Sequence, residues 1–119
     1  MSHRPNILFI FSDQQHWQAV GFEDASFQTP NLDQLAAEGT IFRNAFCTTP
    51  QCSPSRSSMM TGLYPSKTGV WGNIGAAGGD ELKTPTIGAM LQEAGYHTAY
   101  FGKWHLGKAP VGVAGKALP

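Results

Sequence analysis

The sequence predicts an α/β chain, a mainly parallel sheet flanked by helices. Two observations carry this expectation. Asn6 to Ser12 is a nearly continuous apolar run centred on Ile7-Leu8-Phe9-Ile10-Phe11, as in a strand buried on both faces. Helix starts of one kind, a Thr or Ser cap followed by Pro, then recur among strand-like segments at Thr29-Pro30, Ser53-Pro54 and Thr84-Pro85.

Each element has its own justification. Asp13-Gln14-Gln15-His16 follows the first strand at its C-terminal end, where open α/β sheets place ligands. A carboxylate and an amide there suit a hard cation, although Asp13 also suits a turn or a helix cap. Thr29-Pro30 opens a helix with Leu32, Leu35 and Ala36 as its buried stripe and Gly39 as its end. Thr40 to Phe46 alternates and predicts a strand. Ser53 to Thr61 predicts a helix with Ser53 as cap, Pro54 in the first turn and Gly62 as stop. Tyr64 to Lys83 reads as one long irregular stretch. Ile87, Met90, Leu91 and Ala94 sit at helical spacing before Gly95, and His97 to Phe101 alternates as a strand. Residues 108–119 form a Gly/Ala/Val/Pro tail without pattern.

The bulk numbers exclude several function classes. A chain of 119 residues is of single-domain size, and its composition, 41% hydrophobic and 13% charged, is globular. A net charge of zero without a Lys/Arg run offers nothing to nucleic acid or a membrane surface. The apolar run after Pro5 is too short for a membrane span or a signal-peptide core, which reads as a cytoplasmic chain. Cys47 and Cys52 are too few for a disulfide framework and are not spaced as a Cys-x-x-Cys motif.

The chemistry concentrates at Cys52-Ser53-Pro54-Ser55-Arg56. Cys52 stands just ahead of a helix N-terminus, where free N–H groups and the macrodipole favour negative charge. Arg56 lies about one turn on and can point back to the same spot. A nucleophile, a cation and a helix dipole meeting at one point suit transfer of an oxyanion. Lys103 and His105 leave the last strand two residues apart, so an extended backbone would direct both to one side. Together they could hold an anion and move a proton.

Four segments in order resemble the sulfatase family. They are the strand ending in Asp13, Thr29-Pro30-Asn31-Leu32-Asp33, the Cys52–Arg56 motif with its Thr61-Gly62-Leu63-Tyr64-Pro65 sequel, and Gly102-Lys103-Trp104-His105-Leu106-Gly107. The likeness covers Pro5 to about Gly107. It implies the N-terminal part of an alkaline-phosphatase-like α/β sandwich. By that resemblance, a formylglycine-generating enzyme converts Cys52 to formylglycine, whose hydrate attacks the sulfur of a sulfated small molecule or glycan. Loss of a proton from the second hydroxyl then ejects sulfate. The resemblance makes Asp13, Gln14 and residue 52 ligands of a divalent cation, usually Ca²⁺, with Mg²⁺ or Mn²⁺ as alternatives. It makes Arg56 the group that neutralises the nucleophile, Lys103 the holder of nucleophile or sulfate oxygens, and His105 an aid to proton removal.

Two departures qualify the expectation. Gln14 stands where many members carry a second Asp, whereas some choline-sulfatase-like and phosphonate-monoester-hydrolase-like members have a comparable Asp-Gln pair. Hydrolysis of phosphonate monoesters or phosphodiesters therefore stays open. Sulfatases of this type are also several times longer, so residues 1–119 read as an incomplete N-terminal segment of the catalytic domain, inactive alone. A non-catalytic remnant that binds anions or a partner chain through an exposed sheet edge is the other reading. A thiolate phosphatase is excluded, because neither cysteine has an Arg six positions on.

Overall fold

A computed structural model describes residues 4–76 and 79–108. Most of the tail expected at 108–119 lies outside the described residues, as do Ala77 and Gly78 of the long loop. The chain divides into two compact units, Met1–Ala45 and Phe46–Pro119. Four helices occur among the described residues: α1 (Pro30–Glu38), α2 (Cys52–Thr61), α3 (Pro65–Thr68) and α4 (Ile87–Glu93).

The expected strands at 6–12, 40–46 and 97–101 are not formed as strands. Among the described residues, the β pairing consists of one antiparallel bridge, Val70 to Gly79. The reason is physical: an apolar run becomes a strand by pairing, and isolated pairs are marginal in water. Ile7, Leu8, Phe9 and Ile10 remain 57%, 83%, 56% and 79% exposed, so no layer covers this run. Residues 43–44 form a turn inside the second expected strand.

In the first unit, α1 begins as Thr29-Pro30 predicts, but Thr29 is not a side-chain cap. Its Oγ1 accepts from the Gly21 N–H (2.7 Å) and donates to Asp33 Oδ1 (2.9 Å). The Phe22 N–H also donates to Asp33 Oδ1 (3.1 Å), so one carboxylate fixes residues 21–22 against the first turn of the helix. Gly21 is required by this close approach, because a Cβ there would lie 2.4 Å from Asp33 Oδ2. The expected buried stripe stays open: Leu32 and Leu35 are exposed. With Ala36, Val20, Phe22 and Ile41 they line a groove of about 460 Å³.

In the second unit, α2 contacts both α3 and α4. Gly62 ends α2 as predicted: at φ 71° it takes the left-handed cap conformation and returns its N–H to Ser58 O (2.8 Å). The stretch from Tyr64 to Lys83 is more ordered than expected. It contains α3, a second left-handed cap at Gly69, and Val70, which is fully buried. α4 is capped by Thr86, whose Oγ1 accepts from the Ala89 N–H, rather than by Thr84. Gly95 closes it with φ 84°, and Tyr96 N–H reaches Leu91 O (2.9 Å). The core of this unit is Met60, Val70, Trp104 and Leu106.

Replacing Gly21 by Ala should drive the Asp33 carboxylate from its Thr29 and Phe22 partners. The expected loss of stability is about 1–2 kcal/mol, read by urea unfolding.

Candidate functional site

The site is built on α2. Of its buried residues, Ser53, Arg56, Ser57 and Met60 follow at i, i+3, i+4 and i+7 and share one face, with Pro54 buried beside them in the first turn. That face is mostly polar, and each buried polar group has a partner. Ser53 Oγ donates to the His105 carbonyl (2.7 Å) and accepts from the Ile74 N–H (3.1 Å). The Ser53 N–H donates to Asn73 Oδ1 (3.0 Å). Ser57 Oγ donates to the Pro54 carbonyl and lies 3.2 Å from Thr68 Oγ1.

Ser53 therefore does not cap the helix as expected. The cap position is Gln51, which makes no side-chain cap bond, and Cys52 is the first helical residue. Asn73, from the loop after α3, supplies the oxygen that a capping side chain would have supplied. Pro54 still fits, since the first turn needs no donor from it.

Cys52 is half-buried and unbridged. Lys103 Nζ donates to its Sγ at 3.3 Å, which joins a cation to the first residue of the helix. Arg56 is 5% exposed. Its Nη1 donates to the Tyr100 hydroxyl (3.2 Å) and to the Lys103 carbonyl. Arg56 thus reaches residue 52's neighbour through the backbone of the very residue whose ammonium meets the thiol.

His105 occupies the site differently from expectation. Its φ of 53° is left-handed, so the alternation that would align it with Lys103 is broken. Its Nε2 lies 3.3 Å from the Ile74 carbonyl, and its buried Nδ1 has no hydrogen-bond partner among the described residues. Its backbone carbonyl is the acceptor for Ser53.

Asp13 and Gln14 belong to the first unit, and both are exposed. Gln14 has φ 59°, an uncommon conformation for a non-glycine residue that places the amide at a sharp bend. The two side chains supply hard oxygens of the kind a divalent cation takes. Their number falls short of the about six to eight that Ca²⁺ prefers. Among the described residues no group of three or more His, Cys, Asp or Glu side chains could hold a metal ion. These residues fit a cation site in kind and do not complete one.

Tyr100 and Asn73 are the residues that sequence reasoning missed. Tyr100 was read only as a strand residue and Asn73 only as loop. Tyr100 packs edge-on against Trp104 (5.1 Å between centroids, 81° between planes). Its hydroxyl donates to the Lys103 carbonyl at 2.5 Å. Burial pushes the Tyr100 phenol above its ordinary value of 10.0, while the charge and hydrogen bond of Arg56 pull it partway back.

A family model described as Sulfatase matches residues 5–112. The chain belongs to the sulfatase family. Among curated proteins it is similar to the uncharacterized sulfatase YidJ of Escherichia coli, 42% identical over 104 residues, covering 87% of this chain and 20% of that protein. It is equally similar to an ulvan-active sulfatase of Formosa agariphila, with 42% identity over 104 residues and the same coverage. The N-acetylgalactosamine-6-sulfatase of Sus scrofa is 37% identical over 117 residues, covering 89% of this chain and 22% of that protein. This sulfatase chain therefore spans about a fifth of the length of the curated relatives it matches. The family implies an alkaline-phosphatase-like α/β fold, whose sheet is not formed among the described residues. No helix among them is long and apolar enough to cross a membrane.

Two outcomes follow from the polar face. Ser53→Ala leaves the Ile74 N–H and the His105 carbonyl without their partner, and should cost about 1–3 kcal/mol in urea unfolding. The Tyr100 phenol ionises near 10.0 when unfolded and at higher pH when folded. Its contribution is intact below about pH 10 and is lost as pH rises through that value toward the folded one. Stability followed from about pH 9 to 11 should fall more steeply in the native chain than in Tyr100→Phe.

Proposed function

We propose that this chain carries the nucleophile end of a sulfatase that hydrolyses sulfate esters of a small molecule or a glycan through formylglycine at position 52. The observation that carries the reading is the Lys103 Nζ to Cys52 Sγ contact at the N-terminus of α2, within a chain of this family. An ammonium 3.3 Å from the reacting side chain suits an oxygen-rich hydrate better than it serves a structural thiol. Replacing Sγ by oxygen shortens and strengthens that hydrogen bond. The helix N-terminus adds a fixed positive field at the same position.

Each residue then has a role. Residue 52 attacks the sulfur. Lys103 holds its oxygens or those of the sulfate, and the Arg56 guanidinium, held in place by its hydrogen bonds, adds positive charge behind it. His105 assists proton removal from the hydrate by way of its ring Nδ1, which has no partner among the described residues. Asp13 and Gln14, with residue 52, contribute oxygens to a divalent cation, Ca²⁺ by preference. When bound, that cation would supply charge stabilisation to the transferring group. Alone, the chain is inactive on this reading. Glycan sulfates are the favoured class because relatives include an ulvan-active sulfatase and an N-acetylgalactosamine-6-sulfatase. Gln14 in place of a second carboxylate favours one alternative, hydrolysis of a phosphonate monoester or phosphodiester by the same nucleophile.

Mass spectrometry tests the nucleophile. After co-expression with a formylglycine-generating enzyme, the peptide carrying residue 52 should have exchanged its thiol for an aldehyde that reacts with hydrazides. A thiol retained in every molecule would overturn the assignment.

A further inference from the structure

The hydroxyl of Tyr100 sits at the junction of the two cations of the site. It donates to the Lys103 carbonyl (2.5 Å) and accepts from Arg56 Nη1 (3.2 Å), while Arg56 donates to that same carbonyl. Three groups therefore close a ring on the backbone of the residue whose ammonium meets Cys52. We propose that Tyr100 is a positioning residue: its hydroxyl fixes the backbone of Lys103 against Arg56 and so sets the Lys103 ammonium at position 52.

Three observations support this. The segment needs a restraint, because Gly102 at φ 101° and His105 at φ 53° flank Lys103 with left-handed backbone that lies outside any helix or strand among the described residues. The ring of Tyr100 is itself fixed by its edge-on contact with Trp104, a residue 7% exposed, so the hydroxyl is delivered from a rigid body. The phenol also keeps its proton, since burial raises its ionisation, and a protonated phenol is what a carbonyl acceptor requires. A phenylalanine would keep the packing and lose only the clamp.

The inference rests on the proposed role of position 52, but its geometry is testable on the unconverted thiol. o-Phthalaldehyde condenses one amine and one adjacent thiol into a fluorescent isoindole. With Cys47→Ser as background, the full chain should form one such link, located by peptide mapping between Cys52 and Lys103. Lys103→Arg, which has no primary amine, should abolish it. Tyr100→Phe should form the link about fivefold more slowly, the equivalent of about 1 kcal/mol for one lost hydrogen bond. Trp104→Phe keeps the hydroxyl and still offers an aromatic ring for the edge-on contact of Tyr100, so it should stay near the native rate.

A Tyr100→Phe rate equal to the native one overturns the proposal. So does an equal fall in Trp104→Phe, or loss of the helical far-UV dichroism in Tyr100→Phe alone, since either makes Tyr100 a packing residue. None of these outcomes depends on conversion of residue 52 or on turnover, so a failure of the sulfatase reading would be seen separately.

Discussion

The hydroxyl of Ser53 is the constraint on which the second unit depends. It is fully buried, and it joins three stretches of chain: the start of α2, the loop at Ile74 and the carbonyl of His105. The partners lie 21 and 52 residues away in sequence. A hydrogen bond of this kind contributes only about 1 kcal/mol net, whereas a buried donor or acceptor left unmade costs about 1–3 kcal/mol. The asymmetry selects one arrangement. Any register of α2 that moved Ser53 would leave a part-buried N–H and carbonyl without their partner.

The same logic extends along the helix. A helix that turned Ser53, Arg56 and Ser57 inward could not be held by apolar burial, since Met60 is the one large apolar residue on that face. It is held by saturation of polar groups. Arg56 is the expensive member, because a buried guanidinium without acceptors would cost several kcal/mol. The Lys103 carbonyl and the Tyr100 hydroxyl accept from it, and that requirement brings the 100–105 segment to the helix. The position of Lys103 is thus a by-product of satisfying Arg56, and its ammonium arrives beside Cys52.

This explains what was legible beforehand. The α2 helix and its Gly62 stop were readable, because proline and glycine act locally. The hydrogen bonds of Arg56 to Tyr100 and the Lys103 carbonyl carry no signal in its one-turn spacing from Cys52. Ser53 looked like a cap because serine before proline usually is one, but a buried acceptor from distant chain outcompeted the local bond. Tyr100 carried no signal of its own, since an aromatic in an alternating segment reads as strand packing. The three strands were over-read for a different reason. Apolar pattern measures a capacity to pair, and Leu8 and Ile10 show that capacity unfilled.

The two kinds of order in this chain have different requirements. Around Ser53, Arg56 and Tyr100, the hydrogen bonds to Asn73, His105 and Lys103 run within residues 46–108, and they form without a sheet. The apolar run at Ile7–Ile10 has no such closure, because burial on both faces demands layers rather than single acceptors. A chain that matches about a fifth of its relatives therefore holds the polar geometry around Cys52 while no sheet is formed among the described residues. Directional bonds are few and short in reach, so a small segment can complete them. Hydrophobic stabilisation scales with area, and area is what a segment of this size supplies least.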